Sequence, residues 1–250
     1  MLSRDEHQRY ARQITLPDIG EVGQVKLKRG KVLVIGAGGL GCAVLPALVA
    51  AGVGEIGLVD ADVVSLSNLQ RQPLYGVDSI GRAKVEVAKQ RLSRLNPHVA
   101  LSTFPVFLNS DNAETLIAPY DIVVDACDNL ATRYAIDAAC LQHEKPWVHG
   151  AVAGFVGQVS VFNYRGSGTY RGLYPNELAD EERQTDTSPL AVLGVLPAVI
   201  GALQANEVIK ILCELEGVLA GRLLTYDLRT LSQRILCYRP IADSLEAAAV

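Results

Sequence analysis

Gly36, Gly38 and Gly41 make a G-x-G-x-x-G match directly after the β-branched run "KVLVI" and at the head of the apolar run "CAVLPALVAA". Glycines in that setting let a backbone approach a phosphate closely, and the N-terminus of the following helix favours its negative charge. Asp60 ends the next apolar run, "EIGLVD", 24 positions after Gly36, where a carboxylate can accept hydrogen bonds from ribose hydroxyls. Together these point to a nucleotide. The loop "SLSNLQRQ" then crowds Ser67, Asn68, Gln70, Arg71 and Gln72 around Leu69, a density of donors for which a dinucleotide oxidoreductase has no obvious need. Lys84 follows in what should be the first turn of a helix, where the helix dipole disfavours a cation. Arg71 and Lys84 suit a polyphosphate and the charge that develops on it. Asp128 closes "IVVDACD" at the carboxyl edge of a sheet and is placed to hold Mg²⁺.

The elements that must position these residues are legible in order. Ser3 and Glu6 have capping-box spacing ahead of a helix through "EHQRYARQI". Val85, Ala88, Leu92 and Leu95 share one helical face, with Pro97 as the stop. Strands are expected at "VALSTFPV" and "YDIVVDACDN", and helices at "NAETLIA" and "TRYAIDAACLQHEKP". "WVHGAVAGFVGQVSVF" reads as strand material broken by glycine, "PLAVLGVLPAVIGALQANEVIKILCEL" as an apolar helix, and "GRLLTYDL" and "SQRILCYR" as final strands. The pattern predicts an α/β fold, a Rossmann-like doubly wound and mostly parallel sheet extended by C-terminal antiparallel strands.

At 250 residues and 49% hydrophobic, the chain can bury a sizeable core, which excludes a wholly disordered protein. The net charge of −4 resides in the segment 177–186, where five carboxylates face Arg183, so nothing basic argues for nucleic acid or an anionic membrane. Val32 to Gly54 carries no charge, yet its six glycines and one proline fit a strand, turn and buried helix better than a membrane span. Cys42, Cys127, Cys140, Cys213 and Cys237 show no C-x-x-C spacing, and "MLSRDEHQRY" lacks the apolar core of a signal peptide. Reduced thiols and a cytoplasmic location are expected. The cysteines read as core residues, with Cys127 bordering the site beside Asp128. His149 reads as a pocket residue and Trp147 and Tyr164 as core or contact residues, while His7, His98 and His143 read as surface.

Taken in order, "RYARQI", "GAGGLG", "VDADVVSLSNLQRQ", "GRAKVEVAKQRLSRLNP", "DACDN" and "GVLPAVIGALQANEVIK" resemble the ThiF/MoeB/HesA family of E1-like adenylyltransferases, relatives of the ubiquitin-activating enzymes. The resemblance spans nearly the whole chain and implies a single adenylation domain over 1–250: a nucleotide-binding part to 165, a crossover loop at 166–190, and a helix with C-terminal strands over 191–250. It implies ATP- and Mg-dependent adenylation of the C-terminal glycine carboxylate of a ubiquitin-like sulfur-carrier protein with a Gly-Gly tail. By it, Gly39 lies against the nucleotide, Asp60 binds ribose, and Asn68, Arg71 and Lys84 contact phosphates. Asp128 holds Mg with Asn129 beside it, and Arg12 reaches the ATP of the partner in a homodimer.

Two departures stand out. Where the family carries zinc-binding C-x-x-C pairs, this chain has Thr169 and Gly172 in "TYRGLYP" and no second pair in "CYRPIADSLEAAAV", so no zinc is expected and other contacts must offset its loss. Where thioester-forming members keep a cysteine, this chain has Thr187, a poor nucleophile without a base. Adenylation without an enzyme thioester is therefore the leading reading, with "GTYRGLYPNELADEERQTDTSPL" reduced to covering or guiding the tail and mobile until the tail binds. Adenylation of a peptide or small carboxylate, a non-catalytic ATP-binding partner protein, and an NAD-dependent dehydrogenase are the alternatives.

Overall fold

The computed structural model describes residues 1–175 and 191–238. The N-terminus begins as its capping box requires. Ser3 Oγ accepts the Glu6 backbone N–H at 3.2 Å, and the Glu6 carboxylate accepts the Ser3 N–H at 2.6 Å, opening α1 (Arg4–Arg9). Tyr10 leaves helical geometry, so the one helix expected here is two, α1 and α2 (Ala11–Ile14). After α3 (Gly20–Arg29), the run "KVLVI" forms β1 (Lys31–Ile35). Its side chains alternate between two cores: Val32 and Val34 lie in one, Leu33 and Ile35 in the other.

The chain then winds through α4 (Gly41–Ala51), β2 (Glu55–Val59), α5 (Lys84–Leu95), β3 (Ala100–Phe104), α6 (Ala113–Ile117), β4 (Ile122–Asp125), α7 (Leu130–Gln142) and β5 (Trp147–Ala153). These strands are parallel. A hairpin at Gly154, whose φ is +58°, turns the chain into β6 (Val156–Phe162), antiparallel to β5. β7 (Arg222–Asp227) and β8 (Ser232–Cys237) continue antiparallel, giving the order β3-β2-β1-β4-β5-β6-β7-β8. This is the expected mostly parallel sheet with antiparallel C-terminal strands.

In α5, Val85, Ala88 and Leu92 are buried as their spacing predicts, but Leu95 in the last turn is exposed. α8 (Tyr170–Leu173) follows β6, and α9 (Leu196–Cys213) lies against α3, α4, β5 and β6. By length and hydropathy α9 could cross a bilayer. Instead it buries Leu196, Ile200 and Val208 in the core and sets Gln204 and Glu207 into internal hydrogen bonds, as the central helix of a packed domain does. Strand order reverses between β1 and β4, so a crevice opens at their carboxyl ends, the usual ligand position in such sheets.

Candidate functional site

The glycine turn sits at that crevice. Gly36 has φ +102°, and a Cβ there would overlap the Ala126 carbonyl oxygen, so only glycine fits between the ends of β1 and β4. Its N–H donates to Val59 O at 2.8 Å. Asp60, just past β2, accepts the Ala37 N–H at 2.7 Å and the Asp62 N–H at 2.8 Å, while Tyr75 Oη donates to Ala37 O at 2.7 Å. Asp60 thus braces the turn as well as presenting a carboxylate beside it. Burial raises its pKa, an effect the Lys84 charge and the two N–H donors oppose.

Lys84 is the first residue of α5 and is 4% exposed. Its ammonium lies 2.8 Å from Asp62 Oδ2 and 4.0 Å from Asp60 Oδ2, the oxygen that holds the Ala37 N–H. The cation is therefore one carboxylate away from the turn. Leu66–Asn68 form a 3₁₀ turn that leaves Ser67 exposed and Asn68 and Leu69 half-buried. Arg71 donates to Ser67 O at 3.3 Å, and its own carbonyl lies 3.5 Å from where a Gly39 Cβ would stand. Pro197 Cβ, in the first turn of α9, lies 3.0 Å from that same point, and Gln70 packs over Gly194.

The third part is the end of β4, and here the sequence reading needs correction. The strand ends at Asp125; Asp128 stands three residues further, exposed, in the loop before α7. Asn129 is the N-cap of α7, accepting the Thr132 N–H at 2.9 Å. Asp125 itself is wholly buried and fully engaged: by Arg133 Nε at 3.1 Å, His149 Nδ1 at 2.8 Å, and the Cys127 N–H and Sγ at 3.0 and 2.9 Å. Arg133 also donates to Cys127 O at 3.0 Å, and Gln204 from α9 donates to Asp125 O at 2.6 Å. Burial alone would raise the Asp125 pKa, but the Arg133 charge and the His149 and Cys127 hydrogen bonds outweigh it, and the net shift is downward. Burial pushes the His149 pKa down, so His149 is a neutral buried donor to Asp125 and does not line the pocket. Burial and the neighbouring Asp125 hold Cys127 well above the ordinary thiol range, which leaves it a thiol. Asp62, Asp125, Arg133 and Gln204 escaped the sequence reading; a local signal exists for Asp125, the acid ending the apolar run "IVVD".

Arg12 is exposed on α2, away from the turn. Its neighbour Gln13 donates to Ala51 O in the last turn of α4, roughly 15 Å along the helix from Gly41.

The described part of the acidic stretch, Gly168–Pro175, is no loose linker. Thr169 caps α8 by accepting the Gly172 N–H at 3.1 Å, and Asp137 from α7 accepts the N–H groups of Tyr170 and Arg171 at 2.8 and 3.0 Å. Tyr134 Oη donates to Tyr174 O at 2.8 Å, and the Tyr170 ring packs among Tyr134, Trp147, Phe162 and Tyr174. These contacts fix residues 169–174 against α7 and the aromatic cluster of β5 and β6. Trp147 is core, as anticipated; Tyr164 borders a surface cavity of about 350 Å³ with Arg165 and Val218. Thr187 and the tail beyond Tyr238 lie outside the described residues.

A protein-family model described as the ThiF family matches residues 10–244. The chain belongs to the ThiF family. It is 47% identical over 239 residues to the adenylyltransferase and sulfurtransferase MOCS3 of Anopheles gambiae, covering 96% of this chain and 54% of that one. It is 45% identical over 242 residues to the sulfur carrier protein adenylyltransferase of Thermus thermophilus, covering 95% and 89%. This ThiF-family chain thus spans about half the length of MOCS3 relatives and most of the Thermus one. E. coli MccB shares the fold, with a TM-score of 0.84 at 23% identity over 94% of this chain and 74% of that one.

Proposed function

We propose that this ThiF-family chain adenylates the C-terminal glycine carboxylate of a ubiquitin-like sulfur carrier with a Gly-Gly tail. ATP is consumed, pyrophosphate is released, and no enzyme thioester forms. The observation that carries this reading is the buried Lys84 ammonium, 4.0 Å from the carboxylate oxygen that braces the glycine turn. A cation in the first turn of a helix opposes the dipole; beside a phosphate cradle it has a use.

A carboxylate oxygen of the tail attacks the α-phosphorus of ATP. The new O–P bond forms as the bond to the bridging oxygen of the β-phosphate breaks, and that oxygen leaves with its electron pair on pyrophosphate. Gly36, Gly38, Gly39 and Gly41 cradle the phosphates at the α4 N-terminus. Asp60 takes the ribose hydroxyls, and Ser67, Asn68, Leu69 and Gln70 line the approach. Arg71 and Lys84 neutralise the departing charge. Asp128, with Asn129 beside it, supplies an exposed carboxylate at the crevice, a hard oxygen donor that fits Mg²⁺ shared with substrate phosphates and water. The ion, when bound, offsets charge on the leaving group.

Two features bear on the thioester. Cys127 is a protonated thiol turned onto Asp125, and Cys42 is raised to about 12 by burial. Arg12 sits beside the C-terminal end of α4, roughly 15 Å along that helix from Gly41, which accords with its serving the nucleotide of a second copy; we read the working unit as a homodimer. A cytoplasmic setting accords with its free cysteines.

The test is carrier-dependent exchange of labelled pyrophosphate into ATP, with mass spectrometry of the products. An adenylated carrier, with no hydroxylamine-sensitive adduct on the enzyme, is expected, and exchange should fall at least about a hundredfold in Arg71→Ala or Asp128→Ala. Absence of exchange with every Gly-Gly carrier of the same organism overturns the proposal.

A further inference from the structure

Arg133 sits in the first turn of α7, where the helix dipole disfavours a cation, and it is 9% exposed. Its pairing with Asp125 does not by itself account for it, because apolar side chains of similar volume often fill such a site with no loss of stability. What an apolar pair could not do is hold the main chain between β4 and α7. Arg133 uses two sides of its guanidinium fork at once, with Nε donating to Asp125 Oδ2 at 3.1 Å and Nη2 to the Cys127 carbonyl at 3.0 Å. Asp125 Oδ1 accepts the Cys127 N–H at 3.0 Å. Both peptide groups that flank Cys127 are therefore held.

The two anchors hold different things. Asp125 fixes the first peptide group, whose oxygen, that of Ala126, closes on Gly36. Arg133 fixes the second, whose nitrogen belongs to Asp128. Beyond Asp128 the chain is tied again, since the Asn129 side chain accepts the Thr132 N–H at 2.9 Å. The exposed Asp128 carboxylate thus stands on a single residue of backbone pinned at both ends.

We infer that Arg133 is a positioning residue for Asp128: through the Cys127 carbonyl it aims that exposed carboxylate at the divalent cation that accompanies the nucleotide. The inference rests on the metal-holding part of the function proposed above and goes beyond it by assigning a buried guanidinium that acts only through the main chain. A cation held largely by substrate phosphates and water draws little from one protein carboxylate unless that carboxylate is already in place. Lysine is no equivalent here. A point charge on a flexible stem can neutralise Asp125, but it lacks the planar fork that reaches Asp125 and Cys127 O together.

The experiment is calorimetry of ATP binding, with Mg²⁺ and with EDTA, which needs no carrier. Wild type is compared with Asp128→Ala, with Arg133→Lys, and with the double variant Asp125→Asn, Arg133→Met, which removes the guanidinium without stranding a charge. Thermal unfolding reports folding, and the double variant decides the matter if the lysine protein does not unfold cooperatively. The factor by which Mg²⁺ tightens ATP is expected to fall about tenfold in both Arg133 variants, while affinity in EDTA stays within about twofold. Half-maximal pyrophosphate exchange should likewise need about tenfold more Mg²⁺ and recover at saturating Mg²⁺, which a loss of folded protein would not produce. A Mg²⁺ factor equal to that of wild type in both Arg133 variants overturns the inference, and so does affinity lost equally in EDTA. If the factor falls in Asp128→Ala but not in the Arg133 variants, Asp128 keeps its metal and Arg133 loses its role. A factor unchanged in Asp128→Ala removes Asp128 from the metal, and this positioning role with it.

Discussion

Asp137 holds Tyr170: its Oδ1 accepts the Tyr170 N–H at 2.8 Å, and its Oδ2 takes the neighbouring Arg171 N–H at 3.0 Å. One buried carboxylate on α7 so fastens the start of a segment that carries no metal-binding thiolate in this chain. Trp147 Nε1 donates to the same Oδ1 at 3.3 Å. Asp137→Asn replaces one acceptor by a donor and leaves a buried N–H facing another donor. We expect a loss of about 2 kcal/mol and faster hydrogen exchange at Tyr170 and Arg171. Protection at these two amides equal to wild type would show that the aromatic packing alone suffices.

Arg133 and Asp125 form a buried pair with His149 as second partner. Removing one member strands the other, so Arg133→Met should cost about 3–5 kcal/mol in urea unfolding. Asp125→Asn combined with Arg133→Met should cost less than Arg133→Met alone, because the uncompensated carboxylate is gone. A double variant less stable than the single one would mean that Arg133 acts through packing, not charge.

The difference between what the sequence disclosed and what it hid follows from distance along the chain. The glycine turn, its flanking strand and helix, Asp60 and the first-turn Lys84 were readable because local rules define them: a β-branched run, a turn only glycine can make, an apolar helix. The C-terminal antiparallel strands were readable from their composition. The Asp125 cluster was not, since Arg133, His149 and Gln204 arrive from α7, β5 and α9 and meet only because β5 pairs with β4 and α9 crosses the sheet. Asp128 was misplaced onto the strand because "DACD" offers two acids, and periodicity cannot tell which is the last paired residue. The role of Asp137 was hidden likewise: in a helix it looks like any exposed acid, and only the fold shows it capping α8.

Glu6 predicts a pH dependence. Burial opposes its ionisation, but the Lys28 ammonium at 2.8 Å and the Ser3 N–H and hydroxyl outweigh burial, lowering its pKa from 4.5 to about 2. A depressed carboxylate contributes stability above its unfolded pKa and loses it as pH falls through the folded value. The advantage of wild type over Glu6→Gln should therefore be constant above pH 4.5, shrink between 4.5 and 2, and vanish below. Thermal unfolding of both proteins across this range checks it; an advantage that persists below pH 2 would exclude the carboxylate as its source.

Gly36 and Gly38, two residues apart, should fail in different ways. At Gly36 a methyl group meets the Ala126 carbonyl in a backbone with φ +102°, so Gly36→Ala should lose about 3 kcal/mol or more of stability whatever is bound. At Gly38 the same methyl group stands 3.6 Å from Gln72 Nε2, an ordinary contact, and φ is not positive. Gly38→Ala should fold with a Tm near that of wild type yet bind ATP at least about tenfold more weakly, as expected when a side chain enters the space through which backbone approaches phosphate. Calorimetry with ATP and Mg²⁺ alongside thermal unfolding separates the two variants. Undiminished ATP affinity in a folded Gly38→Ala protein would place the phosphates elsewhere and would remove the basis for assigning Lys84 to them.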